Sequence, residues 1–277
     1  MTSATPIAAS ISDAGPRTDR PTATVNYHFH KPERQAYHID AGGVVGKLIS
    51  PPHDVVSVPL NDTRDGVSVN FEEDSVAFLT SPSRVVDFAS DDVWTDTYDQ
   101  ELTDLLTEHL GAQEVIVFDH TVRVDDANAL RRPARNVHND YNCEGAEQRL
   151  IDIVGAEQAR EFHAAGFGFV NVWRPIEHVI TSSPLGFIHP ASMNAEDWMD
   201  IDLIYPNRRG HILGVAANAD HDWFYTSDMT PEEVVIFNIY DSNGRPHLAH
   251  SALDLPTDGQ ASHPRKSIES RTLVRFS

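Results

Sequence analysis

A histidine and an aspartate stand two positions apart in the stretch NVHNDYN, residues 136–142. Side chains alternate between the two faces of a β-strand, so on a strand His138 and Asp140 would point to the same side. An imidazole and a carboxylate placed side by side can bind a divalent metal ion, and they can equally form an ordinary surface pair. A metal site is indicated only if a third ligand, from a distant part of the chain, can join them.

His250 is the strongest candidate for that third ligand. Two histidines and one carboxylate form a facial triad, which binds Fe(II) on one face and leaves three positions open. His250 follows an apolar strand pattern at residues 233–239 and precedes the last predicted strand, so it can lie beside the His138 strand in a closed barrel. His221 is the main competitor among the 15 histidines, but it precedes the apolar strand and comes one strand too early. The ordered set, rather than any one residue, points to a metal centre.

Two arginines near the end of the chain are candidates for binding a carboxylate. In Fe(II) oxygenase barrels an arginine on the last strand binds the far carboxylate of 2-oxoglutarate, a task that suits the planar guanidinium fork. Arg265 is followed by Ser267, whose hydroxyl can add a second hydrogen bond. Arg271 is favoured instead if residues 255–264 form a hairpin turn, because it would then lie level with the predicted third ligand. The hairpin argument slightly favours Arg271, and both arginines stay candidates.

The sequence around these residues predicts a mainly β fold with flanking helices. Residues 91–112 carry apolar side chains at three- and four-residue spacings and contain a glycine near their end, which predicts an amphipathic helix. A second helical pattern covers residues 146–165, and from Gly168 onward nearly every segment reads as strand. We predict a flexible tail at residues 1–22 and one helix-buttressed antiparallel barrel at residues 23–277, with an N-terminal α/β extension.

The composition argues against several classes of protein. Lys and Arg number 21 against 42 Asp and Glu, and the resulting formal net charge of −21 opposes binding to nucleic acid or anionic membranes. No run approaches the roughly 20 apolar residues of a membrane span, and the N-terminus lacks the pattern of a signal peptide. A single cysteine, Cys143, excludes an internal disulfide. We therefore expect a cytoplasmic protein that acts on a small organic molecule, with a homo-oligomer or a partner enzyme as an open alternative.

Several motifs occur in the order and spacing of one known family. They are VHNDY at 137–141, NVWRPI at 171–176, HDWFY at 221–225, TPEEVVIFNIYDS at 230–242, HSALD at 250–254 and PRKSIESRTLV at 264–274. Through them the chain resembles the family of the cephamycin 7α-methoxylation hydroxylase subunit, the fungal gibberellin desaturase and related hydroxylase/desaturases. The likeness covers residues 136–276 and, more loosely, the region from residue 27.

The resemblance implies a non-haem Fe(II)/2-oxoglutarate-dependent dioxygenase of secondary metabolism, with a double-stranded β-helix, or jelly-roll (cupin-like), fold. It implies hydroxylation or desaturation of a small molecule, with Fe(II) as the metal and 2-oxoglutarate and O2 as cosubstrates. His138, Asp140 and His250 fall where the metal ligands of that family lie. The chain departs from the family pattern at residues 189–190 and at Asn238. These departures bear on the substrate and leave the predicted ligands untouched.

Four further residues are predicted to contact the substrate. Asn171 and Trp173 share one face of a predicted strand and could line the cavity, with core packing as the alternative. His221 and Tyr225 share a face in the same way, with a structural role as the alternative. Two rival functions stay open. One is a metal-dependent hydrolase or isomerase on the same barrel, which would not need the last-strand arginine, and the other is a catalytically inactive binding or scaffold barrel.

Overall fold

The computed structural model describes residues 5–6, 20–31, 33–88 and 92–276. Within them lie fifteen strands, which are β1 (Thr5–Pro6), β2 (Thr22–His28), β3 (Gln35–His38), β4 (His53–Asp62), β5 (Val76–Thr80), β6 (Glu114–Val124), β7 (His138–Asn139), β8 (Phe167–Pro175), β9 (Leu185–Ile188), β10 (Trp198–Ile204), β11 (Arg209–Val215), β12 (Trp223–Tyr225), β13 (Glu233–Asp241), β14 (His250–Ala252) and β15 (Lys266–Arg275). The α-helices are α1 (Phe71–Asp74), α2 (Thr95–Leu110) and α3 (Cys143–Ala165). Short 3-10 turns lie at Ala41–Gly43, Thr63–Asp65, Asp92–Trp94, Pro190–Ser192, Ala195–Asp197 and Asp258–Gln260. Of the predicted tail at residues 1–22, all but residues 5–6 and 20–22 lies outside the described residues.

The strands form two mainly antiparallel sheets that pack face to face. One has the order β1-β5-β13-β8-β15-β6, and the other has the order β2-β4-β12-β9-β14-β7-β11-β10-β3. From β12 to β15, successive strands alternate between the two sheets. Phe187 and Phe224 of one sheet pack in the same buried cluster as Phe169, Phe237 and Leu273 of the other. This arrangement confirms the predicted jelly roll, because two sheets with a shared apolar interior and alternating strands define that fold.

Helix α2 covers the outer face of the six-stranded sheet, as its sequence predicts. Tyr98, Leu102 and Leu106 are buried in a cluster that also contains strand residues such as Val172. Each buried side chain of this size contributes roughly 1.5–3 kcal/mol to stability. Gly111 ends the helix at φ 65°, a left-handed conformation that favours glycine. Helix α3 begins three residues earlier than predicted, at Cys143, and bends at Gly155, which has φ 79°.

The predicted hairpin between the His250 segment and the last strand is wrong. Strand β14 lies in the nine-stranded sheet, whereas β15 lies in the six-stranded sheet between β8 and β6. Residues 253–265 therefore cross from one sheet to the other, and Asp254 pairs on the way with Thr24. In a jelly roll, consecutive strands pack across the interior instead of pairing at an edge. The N-terminal strands β2 and β4 extend the sheet that contains β14.

A buried histidine lies beside the strands that hold the predicted metal ligands. The side chain of His28 packs in edge contact with the rings of Tyr37 and His53, at centroid distances of 5.9 and 5.2 Å. A Cβ atom on Gly214 would stand 2.6 Å from the His28 ring, so only glycine fits there without displacing the ring. Among the described residues, neither ring nitrogen of His28 has a hydrogen-bond partner. Burial, and then the nearby His53 and His138, lower the pKa of His28 to about 3.

We expect His28 to make the metal-free protein sensitive to acid. An unfolded histidine has a pKa of about 6.5, so between that pH and about 3 the unfolded state binds a proton that the folded state does not. Stability therefore falls as the pH falls, by up to about 1.4 kcal/mol per pH unit from this residue. Urea unfolding of metal-free wild type and His28→Gln from pH 6 to pH 4 measures this, and the variant should show the shallower loss. Parallel curves for the two proteins would contradict the assignment.

Candidate metal centre

Two neighbouring strands of one sheet bring the predicted ligands together. His138 on β7 and His250 on β14 are directly paired in the antiparallel register. Paired residues of antiparallel strands point to the same face, so both imidazoles enter the interior between the sheets. Strand β7 ends at Asn139, and Asp140 lies in the bend just after it. The predicted His-x-Asp geometry is therefore reached at a strand end and not within a longer strand.

One potential ligand atom from each of His138, Asp140 and His250 lies within 4.8 Å of the other two. Among the described residues this is the only such group of three His, Cys, Asp or Glu side chains. His138 Nε2 is 3.4 Å from Asp140 Oδ1, and the two imidazole centroids are 4.4 Å apart. The two imidazoles are buried, at 8% and 2% exposure. A pair of histidines and one carboxylate at this spacing can hold a divalent transition metal on one face.

Backbone carbonyls fix how the two histidines face the centre. His138 Nδ1 donates to the Asn136 carbonyl at 2.7 Å, and His250 Nδ1 donates to the Leu248 carbonyl at 3.1 Å. A carbonyl can only accept, so the proton of each neutral ring sits on Nδ1 and the lone pair sits on Nε2. Burial, followed by the nearby His138, lowers the pKa of His250 to about 4, which keeps that ring neutral. Both rings are thus prepared as Nε2 ligands.

The carboxylate of Asp140 is held from the facing sheet. Its Oδ2 accepts hydrogen bonds from Asn171 Nδ2 on β8 at 2.9 Å and from Arg271 Nε on β15 at 3.2 Å. Oδ1 is the oxygen that faces His138 and is left for a metal. Burial favours the neutral acid, but Arg271 and His138 outweigh it and hold the pKa of Asp140 well below its usual value. Asp140 is therefore an oriented, ionised carboxylate that can serve as a metal ligand.

Arg271 is fully engaged by carboxylates. Besides Asp140, it forms ion pairs with Asp119 on β6, at 2.6 Å, and with Glu269 two residues before it. Although burial lowers the pKa of Arg271, Glu269, Asp140 and Asp119 raise it well above its usual value. A guanidinium shared by three carboxylates has little capacity left for the carboxylate of a small molecule.

Arg265 has the opposite environment. Its guanidinium is buried at 3% exposure and lies 5.1 Å from the centre of the Trp173 ring. It donates to Ser267 Oγ, at 3.2 and 3.3 Å, and to the carbonyl of Ser183. Among the described residues no carboxylate lies at ion-pair distance from it, and burial lowers the pKa of Arg265 to about 9. Such a cation is poorly compensated and favours a bound anion.

One partly open cavity joins the histidines to this arginine. Its walls include His138, His250, Arg265, Glu269 and Arg123. The cavity thus brings two of the predicted metal ligands and one of the two predicted carboxylate-binding arginines to the same space. Arg271 does not line it and instead stands behind Asp140.

The predicted substrate residues divide into two groups. Asn171 contacts Asp140, and Trp173 packs against Arg265, so both face the interior near the centre. His221 lies elsewhere, with Nε2 bonded to Asp197 at 3.1 Å and Nδ1 to the hydroxyl of Tyr27 at 2.9 Å. Tyr225 is buried in a core cluster that also contains Tyr27 and Trp223. Neither of these two residues lines the cavity.

The sequence pattern missed Glu269 and Arg123. Glu269 alternates with Ser267 and Arg271 on β15, so the period of the strand was the signal that could have placed it on the interior face. Arg123 lies on β6 directly opposite Ser267, and only the pairing of the two strands identifies its position.

Iron retention separates the two candidate third ligands. His250→Ala removes a ring nitrogen from the centre, so we expect it to abolish stoichiometric iron binding. His221→Ala leaves the centre intact and should keep bound iron, although it removes buried hydrogen bonds to Asp197 and Tyr27 and lowers the free energy of unfolding. Anaerobic equilibrium dialysis with Fe(II), followed by metal analysis, measures both. Iron lost in His221→Ala and kept in His250→Ala would move the ligand to His221.

No helix among the described residues is long and apolar enough to cross a membrane.

Comparisons with known proteins agree with the fold and with the kind of centre. A family model described as Oxidoreductase/YMDC permease-like domain matches residues 19–275. The hydroxylase/desaturase efuI of Hormonema carpetanum is 32% identical over 249 residues, which cover 78% of this chain and 82% of that protein. The alpha-ketoglutarate-dependent dioxygenase phiK of a fungal species is 28% identical over 241 residues, covering 80% and 85%.

A solved structure of the iron and alpha-ketoglutarate-dependent endoperoxidase NvfI superimposes with a TM-score of 0.78 and 20% identity, covering 94% of this chain and 100% of that one. This likeness shows a shared fold. The relatives support the resemblance to fungal hydroxylase/desaturases that the motifs indicate. Because the family model spans residues 19–275 and efuI matches at 32% identity, this chain belongs to the oxidoreductase family that includes the hydroxylase/desaturases.

Proposed function

We propose that this protein is a non-haem Fe(II)/2-oxoglutarate-dependent oxygenase that hydroxylates or desaturates a small organic molecule in secondary metabolism. The observation that carries the proposal is the composition of one cavity. It joins the His138 and His250 rings of the metal group to the buried, carboxylate-free guanidinium of Arg265. The names of efuI and phiK, a hydroxylase/desaturase and an alpha-ketoglutarate-dependent dioxygenase, support the same reaction class.

The residues present fit Fe(II). His138 and His250 offer Nε2 lone pairs, and Asp140 offers Oδ1, while Asn171 and Arg271 hold its other oxygen. Fe(II), when bound with 2-oxoglutarate and O2, supplies the oxidative chemistry that removes hydrogen from a C–H bond and converts the cosubstrate to succinate and CO2. The protein orients the ligands and binds the cosubstrate.

Arg265 and Ser267 are the residues that would bind the far carboxylate of 2-oxoglutarate. The serine hydroxyl already accepts from Arg265, so the hydroxyl proton is free to point at a bound carboxylate oxygen. Arg271 would instead orient Asp140, since its guanidinium is occupied by three protein carboxylates. This assignment reverses the slight preference for Arg271, which rested on a hairpin that does not form.

Arg265 distinguishes the proposed oxygenase from the two rival functions. A metal-dependent hydrolase or isomerase binds its substrate at the metal and has no use for a second, buried cationic site beside it. An inactive scaffold barrel has no need of imidazoles whose orientation is fixed by the Asn136 and Leu248 carbonyls. A dicarboxylate cosubstrate explains both features, because one end can reach the metal and the other can reach Arg265.

Narrower assignments belong to the same proposal. The likeness to the cephamycin 7α-methoxylation hydroxylase subunit and the gibberellin desaturase supports a small organic substrate. Asn171 and Trp173, near the centre, are proposed to contact it, and His221 and Tyr225 are kept only as structural supports. We further propose a single barrel domain at residues 23–277, a cytoplasmic location, and a homo-oligomer or partner enzyme as the assembly to search for.

Calorimetric titration with 2-oxoglutarate tests the proposed function. Mn(II) is a redox-stable substitute for Fe(II), and the Mn(II)-loaded protein should bind one 2-oxoglutarate per chain. The Asp140→Ala variant, which lacks a ligand, is the matched control and should bind none under the same conditions. A wild-type protein that binds Mn(II) tightly but shows no heat of binding with 2-oxoglutarate would overturn the proposal in favour of the hydrolase or isomerase.

A further inference from the structure

A second guanidinium, that of Arg123, lies in the wall of the metal cavity. Arg123 is on β6 and pairs with Ser267 on β15 in the antiparallel register. Residues directly opposite each other in such a pair project from the same face of the sheet. Arg123 therefore enters the interior beside Ser267, the residue that contacts the guanidinium of Arg265. Strand pairing alone thus brings two arginines to one end of the cavity.

The positive charge of Arg123, like that of Arg265, has no carboxylate partner among the described residues. Its Nη1 donates to the Arg132 carbonyl at 3.0 Å, which is its one hydrogen bond among the described residues. No carboxylate of the described residues lies at ion-pair distance from it, since Glu269 and Asp119 pair with Arg271. Burial lowers the pKa of Arg123, and the nearby Glu269 offsets only part of this effect. Arg265 is buried and Arg123 is partly buried. Charges withdrawn from water are normally paired, so two unpaired cations in the wall of one cavity indicate an anionic ligand.

The hydrogen bonds of Arg265 show why one arginine is not enough. Three of its five N–H groups already point at protein oxygens, two at Ser267 and one at Ser183. The two that are left can satisfy only part of a carboxylate, whose two oxygens together offer about four acceptor sites. Arg123 has four N–H groups that donate to no protein atom among the described residues. Its position across from Ser267 fits the remaining oxygen lone pairs.

We propose that Arg123 is a further cosubstrate-binding residue, so that the far carboxylate of the 2-oxo acid lies between the guanidiniums of Arg123 and Arg265. This inference rests on the proposed function and deepens it. It also predicts selectivity, because a 2-oxo acid without a far carboxylate would leave both cations unpaired. The preference for a dicarboxylate over a monocarboxylate 2-oxo acid is then shared between two arginines, instead of depending on one.

The test compares two 2-oxo acids in one variant. Mn(II)-loaded wild type, Arg123→Met and Arg123→Lys are titrated with 2-oxoglutarate and with 2-oxobutanoate, which has no far carboxylate. We expect Arg123→Met to weaken 2-oxoglutarate binding by about 10- to 100-fold, the range for loss of a hydrogen bond to a charged group. Binding of 2-oxobutanoate and of Mn(II) should stay within about twofold of wild type, and Arg123→Lys should recover part of the loss.

A matched control removes the same charge from the neighbouring surface. Arg131 is exposed in the loop after β6, so Arg131→Met should leave both affinities unchanged. Equal weakening of both 2-oxo acids in Arg123→Met, or no weakening of either, would overturn the role of Arg123 while wild-type 2-oxoglutarate binding upholds the proposed function. Failure of wild type to bind 2-oxoglutarate would overturn both. Thermal unfolding of each loaded variant identifies any that has simply lost its fold.

Discussion

Replacing Arg265 with leucine is expected to weaken 2-oxoglutarate binding by roughly two to three and a half powers of ten. Removing one partner of a buried ion pair costs about 3–5 kcal/mol, because the other charge is left unpaired, and each power of ten in affinity is about 1.4 kcal/mol. Arg265 is not a metal ligand, so iron binding should survive. Anaerobic titration of Fe(II)-loaded wild type and variant with 2-oxoglutarate measures the two dissociation constants.

Arg271→Leu is the informative contrast. This change leaves Asp140, Asp119 and Glu269 without their shared cation, so it should weaken iron binding and lower the free energy of unfolding. The loss of 2-oxoglutarate affinity should follow from the loss of iron and should shrink when iron is supplied in excess. A large loss of 2-oxoglutarate affinity confined to Arg271→Leu, with iron fully bound, would restore Arg271 as the binding residue and contradict the assignment of Arg265.

Loss of a metal ligand should have the largest effect on turnover. His138→Ala or Asp140→Ala is expected to abolish both stoichiometric iron binding and conversion of 2-oxoglutarate to succinate. Mutations of partners that only orient a ligand typically cost 10- to 100-fold in metal affinity, so removal of a ligand itself should exceed about 100-fold. Metal analysis after anaerobic dialysis, together with a succinate assay, measures these effects.

The fold should tolerate these changes. In Asp140→Ala, Arg271 keeps its ion pairs with Asp119 and Glu269, so no charge is left buried alone. His263→Ala is a suitable control, because His263 is an exposed residue that stacks on His178 away from the centre. Asp140→Gly is expected to keep at most weak iron binding and not to hydroxylate normally. Full 2-oxoglutarate turnover in both Ala variants would show that the centre lies elsewhere.

The ordered ligands could be found in the sequence because their spacing reflects the fold. His138 and Asp140 are two residues apart, and His250 follows an apolar strand that must run through the interior, so the order along the chain constrains where each can lie. The helix at Thr95–Leu110 could also be predicted from the sequence, since its apolar spacing and its terminal glycine are both local signals. Local patterns of this kind do not depend on which strands pair.

The choice between Arg265 and Arg271 could not be made from the sequence. Arg265 directly precedes β15, and alternation continued from that strand puts both arginines on the interior face, so the difference lies in which carboxylates meet them there. Asp119 reaches Arg271 from β6, a strand some 150 residues earlier that pairs with β15 only in the folded chain. The hairpin argument failed for the same reason, because it assumed that strands adjacent in sequence are adjacent in the sheet. Compensation of a buried charge is a property of the tertiary structure.

The visible absorption of the anaerobic complex tests the central claim, that one centre binds iron and 2-oxoglutarate together. Fe(II)-loaded wild type should develop a weak charge-transfer band when 2-oxoglutarate is added, and the band should disappear, with formation of succinate, when O2 is admitted. Asp140→Ala should show no band, and Arg265→Leu should require roughly 100-fold or more cosubstrate to reach it. A wild-type protein that binds both Fe(II) and 2-oxoglutarate and yet shows neither the band nor succinate would contradict the account.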